Sequence, residues 1–274
     1  MNMVNHPGHP LPYDDYRAAI ERETDRFAAT VEGADPATLV PSCPGWTLAD
    51  LTRHVGAVQR WFSVLLTRNV QEPPRGREIE LGLPERADQF AEWLRAGLPE
   101  TAAVLRTIDP DAPMWAWGAD QHARFWARRM LFETLVHRVD AEHAVGRTPD
   151  IDPALAADGV DEFLVNLPYA EFFAPDVANL RGNGEALAFQ CTDPGPGSGE
   201  WLVRLRPDTF GVESFDAEPP TGQRTVPGQE RARVRGRAAD MLLLMYGRLR
   251  YDDAAFEATG DEETLTRWST HSKF

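Results

Sequence analysis

The chain has 274 residues, a formal net charge of −15 at pH 7 and a hydrophobic content of 42%. This composition predicts a globular protein that is long enough for two domains. Because an acidic surface repels phosphate groups, we expect neither nucleic acid nor an anionic membrane surface as a partner.

Export and membrane signals are missing from the sequence as given. No apolar run approaches the roughly 20 residues that span a bilayer. The first residues, MNMVNHPGHPLPYDD, lack the basic and apolar regions of an export signal. The two cysteines, Cys43 and Cys191, do not form a CxxC pair. We therefore expect a cytoplasmic protein with reduced thiols.

The first half of the chain has helical periodicity. Helices are predicted over four stretches, namely 13–31, from 46–47 onward, 85–108, and from 121 to 146. In the second of these, Thr47 and Asp50 have the spacing of a capping box. In the fourth, Gly146 suits the position just after a helix end. Four helices joined by loops of moderate length predict a four-helix bundle.

The second half changes to alternating patterns after one more helical stretch over 151–167. Apolar side chains alternate with polar or small ones in three segments, 187–191, 201–205 and 231–235. Three further segments are an apolar helix (ADMLLLMYGRL), a last strand (AAFEATG) and a final helix that Asp261 can cap. This arrangement predicts a small α+β domain with an antiparallel sheet. We place the boundary near residue 150, so that the domains are 1–150 and 151–274.

Polar side chains interrupt the apolar faces of helices two and four. His54 lies three residues after Leu51 and four before Val58 on the edge of the apolar face. Glu133 and His137 are four residues apart, so they project from one face of helix four. If these helices are neighbours, the three polar side chains face each other. Two imidazoles and a carboxylate can hold Zn²⁺ with one position left open, or Fe²⁺ as a facial triad.

Simpler interpretations of these residues stay open. His54 taken alone fits a hydrogen-bonded histidine of the core. Glu133 can form an ion pair within its helix, either with Arg129 or with His137. The joint occurrence of three polar residues at inward positions is what favours a metal site over these alternatives.

Two neighbours of this group also have two interpretations each. Asp140 lies one turn beyond His137, where it either orients the imidazole or is an exposed carboxylate paired with an arginine. Cys43 precedes helix two, where the helix N-terminus can activate a thiol. Its setting, PSCPGW, is equally typical of an ordinary turn.

Two segments, CPGWTLADLTRHVGAVQRW and RRMLFETLVHRVDAEHAVG, resemble the mycothiol-dependent maleylpyruvate isomerase family. The shared motifs are GW-T-x-x-x-L-x-x-H, E-x-x-x-H-x-x-D, and LLLMYGR with ATGD near the C-terminus. The resemblance covers nearly the whole chain, although long insertions occur around Phe172–Gly184 and Pro207–Gly228. It implies a DinB-like, metal-binding four-helix bundle over 1–150 and a sterol-carrier-like α+β domain over 151–274.

The resemblance also implies a site and a reaction. It implies a zinc ion held by His54, Glu133 and His137, mycothiol bound near the metal, and an arginine important for activity, which falls on Arg248 here. The alternative role for Arg248 is to satisfy the carbonyls at the end of its helix. The implied enzyme is an isomerase or thiol transferase, in which the metal activates a thiol for addition to an electrophilic small molecule.

Other functions remain open from the sequence alone. One is a metal-dependent hydrolase that uses no thiol. Another is a metal-free protein that binds or carries a small molecule in its C-terminal domain. The native metal is open among Zn²⁺, Fe²⁺ and other divalent ions, and the chain is either a monomer or a homodimer. We expect a small electrophile and a low-molecular-weight thiol as its partners.

Overall fold

The computed structural model describes residues 9–74, 80–194, 199–213 and 230–273. They divide into two compact units. One is Pro12–Asp150, and the other contains the residues from Ile151 onward together with residues 9–11. The predicted domains, 1–150 and 151–274, assign residues 9–11 to the N-terminal domain instead.

The position of residues 9–11 has a clear physical cause. His9 is 6% exposed, and its Nδ1 lies 3.2 Å from the carboxylate Oδ1 of Asp158. Its ring also stacks on Trp201, with the ring centroids 5.8 Å apart. A buried imidazole that pairs with a carboxylate attaches the start of the described chain to the second unit.

The first unit is helical. Its α-helices are α1 (Tyr13–Val31), α2 (Leu48–Arg68), α3 (Phe90–Ala96), α4 (Leu98–Thr107) and α5 (Ala123–Ala144). The single helix predicted over 85–108 is therefore two helices that meet at Gly97. Pro99 in the first turn of α4 explains the break, because proline has no N–H to continue the hydrogen bonds of α3.

Helix α5 lies at the centre of the first unit. It packs against α1 and against α2. The buried apolar side chains of these helices include Phe27, Leu51, Phe62, Leu131, Phe132 and Leu135. This packing determines which polar side chains of α5 meet α1 and which meet α2.

A buried charge cluster joins α5 to α1. The guanidinium of Arg138 donates from Nε to Glu23 at 2.9 Å and from Nη1 to Glu142 at 2.6 Å. Its Nη2 donates to the backbone carbonyl of Asp150 at 3.2 Å. The Arg138 side chain is fully buried and that of Glu23 is 2% exposed, so these hydrogen bonds replace the water that the charges have lost. We call Glu23, Arg138 and Glu142 the closed cluster.

The second unit is an α+β fold. Its helices are α6 (Pro153–Asn166), α7 (Ala238–Met245) and α8 (Glu262–His271). Its strands are β1 (Ala186–Cys191), β2 (Glu200–Leu205), β3 (Phe210–Glu213), β4 (Ala232–Gly236) and β5 (Phe256–Gly260), in the sheet order β3-β2-β1-β4-β5. The predicted fold class, helices followed by a small α+β domain, is confirmed.

The sheet differs from the prediction in one pairing. Strands β1–β2, β2–β3 and β4–β5 pair antiparallel as expected, but β1 and β4 pair parallel, with Leu187 opposite Ala232. The sheet is therefore mixed. An alternating pattern predicts a strand with one buried face, but it does not predict whether the neighbouring strand is parallel or antiparallel. Strand β3 was not predicted, because four residues carry too little alternation.

Two predicted loops lie partly outside the described residues. They are 195–198 of the expected hairpin loop and 214–228 of the second insertion. Within the described ranges, no helix combines the length and the apolar composition needed to cross a membrane.

Candidate metal centre

The start of α2 sets the direction of His54. The Asp50 backbone N–H donates to Thr47 Oγ1 at 3.3 Å, and the Asp50 carboxylate accepts the Thr47 backbone N–H at 3.1 Å. This is the capping box that the sequence predicts. Because the box fixes the first turn of α2, it also fixes the face on which His54 lies two turns later.

Three side chains from α2 and α5 converge on one point. His54 Nε2 lies 2.9 Å from Oε1 of Glu133, and His137 Nε2 lies 3.4 Å from the same oxygen. The ligand atoms of all three side chains lie within 4.8 Å of one another. Their side chains are 27%, 25% and 12% exposed for His54, Glu133 and His137, so solvent and small molecules can reach them. We call these three residues the open cluster.

Glu133 and His137 are each oriented by a second contact. Arg129 Nη2 donates to Oε2 of Glu133 at 2.9 Å, which leaves Oε1 directed at the imidazoles. His137 Nδ1 donates to Oδ2 of Asp140 at 2.8 Å. The Asp140 contact orients the imidazole ring so that its Nε2 points to Glu133. Carboxylates commonly orient metal-binding histidines in this way.

Asp140 is itself held firmly. It is fully buried, and its Oδ1 accepts a hydrogen bond from the Ser42 hydroxyl at 2.6 Å. The Cys43 sulfur lies 3.5 Å from its Oδ2. The interpretation of Asp140 as an exposed carboxylate paired with arginine is therefore wrong. The turn that precedes α2 instead supports the orientation of His137 through Asp140.

An indole ring covers one side of the open cluster. The ring of Trp46 lies 5.0 Å from that of His54 and 6.3 Å from that of His137, measured between centroids. The two imidazoles meet edge to face at 5.0 Å. Trp46 thus gives the site an apolar wall, which strengthens the electrostatic interactions beside it.

The cluster shifts the pKa values of its members in opposite directions. Burial by itself raises the Glu133 pKa, but hydrogen bonds from His137 and His54 and the nearby positive charges, including Arg129, hold it well below its usual value. Burial by itself lowers the His137 pKa, but hydrogen bonds with Asp140, Cys43 and Glu133 raise it well above its usual value. The site therefore favours a negative carboxylate beside a positive group.

These residues fit a divalent metal ion. Zinc bonds of about 2.1 Å in tetrahedral geometry place two ligand atoms about 3.4 Å apart. The 2.9 Å and 3.4 Å separations around Glu133 Oε1 are close to that value. Two imidazoles and a carboxylate suit Zn²⁺ and also Fe²⁺, so the donor set does not choose between these metals. Such a cation would take the place of the protons between Glu133 Oε1 and the two imidazoles.

Arg248 lies in the second unit, just after α7. Its Nη1 donates to the backbone carbonyl of Tyr246 at 2.6 Å, at the C-terminal end of that helix. This contact is the one expected of a cation that satisfies carbonyls at a helix end. A role for Arg248 in activity stays a prediction, whereas the three proposed metal ligands do lie together in the first unit.

Ser42 and Trp46 also belong to the site, although neither is among its predicted residues. Trp46 had a visible signal, because it belongs to the GW motif that opens α2. Ser42 had none, since its contact with Asp140 arises from the path of a turn 98 residues away. The ion pair of Glu133 with Arg129, weighed as an alternative to a metal site, is present beside the imidazole contacts.

Comparison with known proteins covers both units. Residues 17–142 match the mycothiol maleylpyruvate isomerase N-terminal domain, and residues 154–267 match the MDMPI C-terminal domain. A crystal structure of the mycothiol-dependent maleylpyruvate isomerase is similar at 16% identity and a TM-score of 0.60, over 92% of this chain and 95% of that one. A mutant of that isomerase with one histidine replaced by alanine is similar at 14% identity and a TM-score of 0.59, with the same coverage. At these identities the likeness shows a shared fold. No curated protein matches the chain.

Proposed function

Because the chain belongs to the mycothiol-dependent maleylpyruvate isomerase family, we propose that it is an enzyme that uses mycothiol and a divalent metal to transform a small electrophilic molecule. One observation carries the metal part of this proposal. The ligand atoms of His54, Glu133 and His137 come from two helices and lie within 4.8 Å of one another. The two solved structures compared above are both of the mycothiol-dependent maleylpyruvate isomerase.

In this proposal the chain's residues hold and orient the reactive groups. His54, Glu133 and His137 would bind the metal. When bound, the metal would favour the thiolate form of mycothiol, and that thiolate supplies the nucleophile for addition to an electrophilic carbon. Asp140 keeps a proton on Nδ1 of His137 and so leaves Nε2 free to bind the metal. Arg129 neutralises the outer oxygen of Glu133 and fixes its orientation.

The substrate class follows from this nucleophile. A cis-enedioate would isomerise, and an epoxide or an activated alkene would give an S-conjugate. Arg248 would bind a carboxylate of the substrate or of mycothiol. Maleylpyruvate is the first substrate to test, because it is the substrate in the names of both structural neighbours.

The metal is tested by elemental analysis of purified protein. We expect about one zinc or other divalent ion per chain in the wild type, and less than about a tenth of that in His54→Ala, Glu133→Ala and His137→Ala. His143→Ala is the matched control, because His143 is an exposed histidine of the same helix. Circular dichroism checks that each variant is folded. Full metal content in the three ligand variants would show that the proposed site is wrong.

Activity distinguishes the remaining functions. We expect conversion of maleylpyruvate to require both the metal and mycothiol. Arg248→Ala should keep the metal and lose activity by about a hundredfold if its guanidinium holds a carboxylate. Turnover of a substrate without any thiol would favour the hydrolase instead. Absence of metal from the wild type would favour the binding or carrier protein.

A further inference from the structure

The second unit contains a cavity that the proposed reaction does not use. Its volume is about 370 Å³, within the range of roughly 300–1,000 Å³ that small-molecule sites occupy. Strands β1 and β4, the end of α7 and helix α8 contribute to its lining. Its buried apolar side chains include Phe189, Val234, Leu265 and Trp268, each at most 5% exposed. They offer a surface for an apolar ligand body.

One hydroxyl in the cavity is available to a ligand. Ser272 lines the cavity and is only 4% exposed, yet its side chain makes no hydrogen bond to any residue that the structure describes. The neighbouring hydroxyls of Ser269 and Thr270 instead donate to the backbone carbonyl of Thr266. Ser272 can therefore form a hydrogen bond with a ligand or with water in the cavity.

The charge of the cavity is positive. Arg250 and Lys273 are its charged lining residues, and no carboxylate is found among the described residues that line it. Asp252 binds Arg250 through two hydrogen bonds, at 2.8 Å and 3.0 Å. Lys273 makes no ion pair with the described part of the chain. In a chain with 43 acidic residues, Lys273 is also the only lysine.

We propose that this cavity binds a small apolar monocarboxylate. Its carboxylate would accept hydrogen bonds from Lys273 and Ser272, and its hydrocarbon body would contact Phe189 and Trp268. The single unpaired cation matches one negative charge, whereas a second charge on the ligand would remain unmatched in a mostly apolar cavity. All of its described lining residues belong to the second unit, and binding there needs neither metal nor thiol.

Octanoate is the probe for this proposal. We use the Glu133→Ala protein, so that a carboxylate cannot bind through a metal at the open cluster. Isothermal titration calorimetry should show one octanoate site per chain, with octan-1-ol and octylammonium at least about tenfold weaker. Absence of saturable octanoate binding at millimolar concentration, or equal affinity for the alcohol, would overturn the proposal.

Variants of the lining test where the carboxylate binds. Lys273→Gln should weaken octanoate binding about tenfold, Lys273→Arg should restore most of it, and Ser272→Ala should weaken it about fivefold. Arg237→Gln is the control, because Arg237 is an exposed cation of the same unit outside the cavity lining. Unchanged affinity in Lys273→Gln would contradict the proposed contact.

The only lysine also gives a direct signal. Reductive methylation with ¹³C-formaldehyde places one labelled ε-amine in the chain, at Lys273, beside the label on the α-amine. Because a dimethylated lysine keeps its positive charge, octanoate should shift the ε-amine resonance and leave the α-amine resonance in place. A shift of neither resonance at saturating octanoate would place the bound carboxylate elsewhere.

Discussion

Helix α5 carries two charge clusters on different faces, and they differ in how completely the protein encloses them. In the closed cluster, Arg138 is fully buried and all three of its guanidinium nitrogens donate to protein oxygens. In the open cluster, His54 and Glu133 are each about a quarter exposed. Both clusters have cationic or protonatable groups beside carboxylates, so residue type alone does not separate them.

The difference shows what converts a buried charge cluster into a reactive site. Arginine holds its proton and leaves no lone pair for a metal, so the closed cluster can only support the packing of α1 against α5. Imidazoles can lose a proton and offer a nitrogen lone pair, and solvent reaches them in the open cluster. Access and exchangeable protons therefore distinguish the candidate site from a structural ion network on the same helix.

The strongest test of this contrast is loss of the closed cluster's cation. Arg138→Leu leaves Glu23 and Glu142 without their buried partner, so the free energy of unfolding should fall by about 3–5 kcal/mol. Arg53→Leu is the control, because Arg53 pairs with Asp50 at 3.3 Å where both are well exposed. Its effect should be below about 0.5 kcal/mol. Urea unfolding of metal-free protein measures both, and similar losses in the two variants would remove the distinction.

A second test concerns the support of the open cluster. Asp140→Asn removes the carboxylate that orients His137 but leaves the three ligands in place. We expect the metal dissociation constant to rise 10- to 100-fold, as measured by competition with a chromophoric chelator. Asp120→Asn is the control, because Asp120 contacts His122 and Arg124 at the other end of α5. Unchanged metal affinity in Asp140→Asn would mean that the Asp140 contact serves packing alone.

The smallest expected effect is on the pH dependence of the stability that the open cluster contributes. In metal-free protein the lowered Glu133 pKa stabilises the fold above the pKa of an unfolded glutamate, and this stabilisation is lost as the pH falls through the folded value. The raised His137 pKa stabilises the fold below the unfolded histidine value, and this stabilisation is lost as the pH rises through the raised folded value.

Urea unfolding of chelator-treated protein between pH 5 and 9 measures the alkaline loss expected from His137, with His137→Gln as the reference (pH values chosen to bracket a free histidine). Partial exposure should keep the effect near or below about 1 kcal/mol. Metal affinity should respond in the opposite direction and increase as the pH rises, because the ligands must be deprotonated. An alkaline loss that is equal in His137→Gln would assign it to another group.

The sequence was sufficient for the helices that carry the open cluster. Helical periodicity predicts α1, α2 and α5 to within a few residues, and the spacing of Glu133 and His137 places them on one face. That His54 meets them required only that α2 and α5 be neighbours, as the predicted helix bundle implies. The structure brings the three together, while metal binding stays a prediction.

Other features depend on contacts that periodicity does not encode. Arg138 and Glu142 have the spacing of an ordinary surface ion pair. Glu23 was the one visible signal of a buried charge cluster, because it shares the buried face of α1 with Ile20 and Phe27. The parallel pairing of β1 with β4 joins two strands that are not consecutive in the chain. Neither the partner of a buried charge nor the direction of a neighbouring strand is a property of a local segment.

The two clusters on α5 also restrict how this helix can change in length. An inserted or deleted residue between Glu133 and Glu142 rotates the following side chains by about 100° about the helix axis. Such a rotation would turn Arg138 away from Glu23, or His137 away from His54, and leave buried groups without partners. We therefore expect length variants of this protein to be tolerated in the connections between helices and not in this segment, where one spacing must satisfy two faces at once.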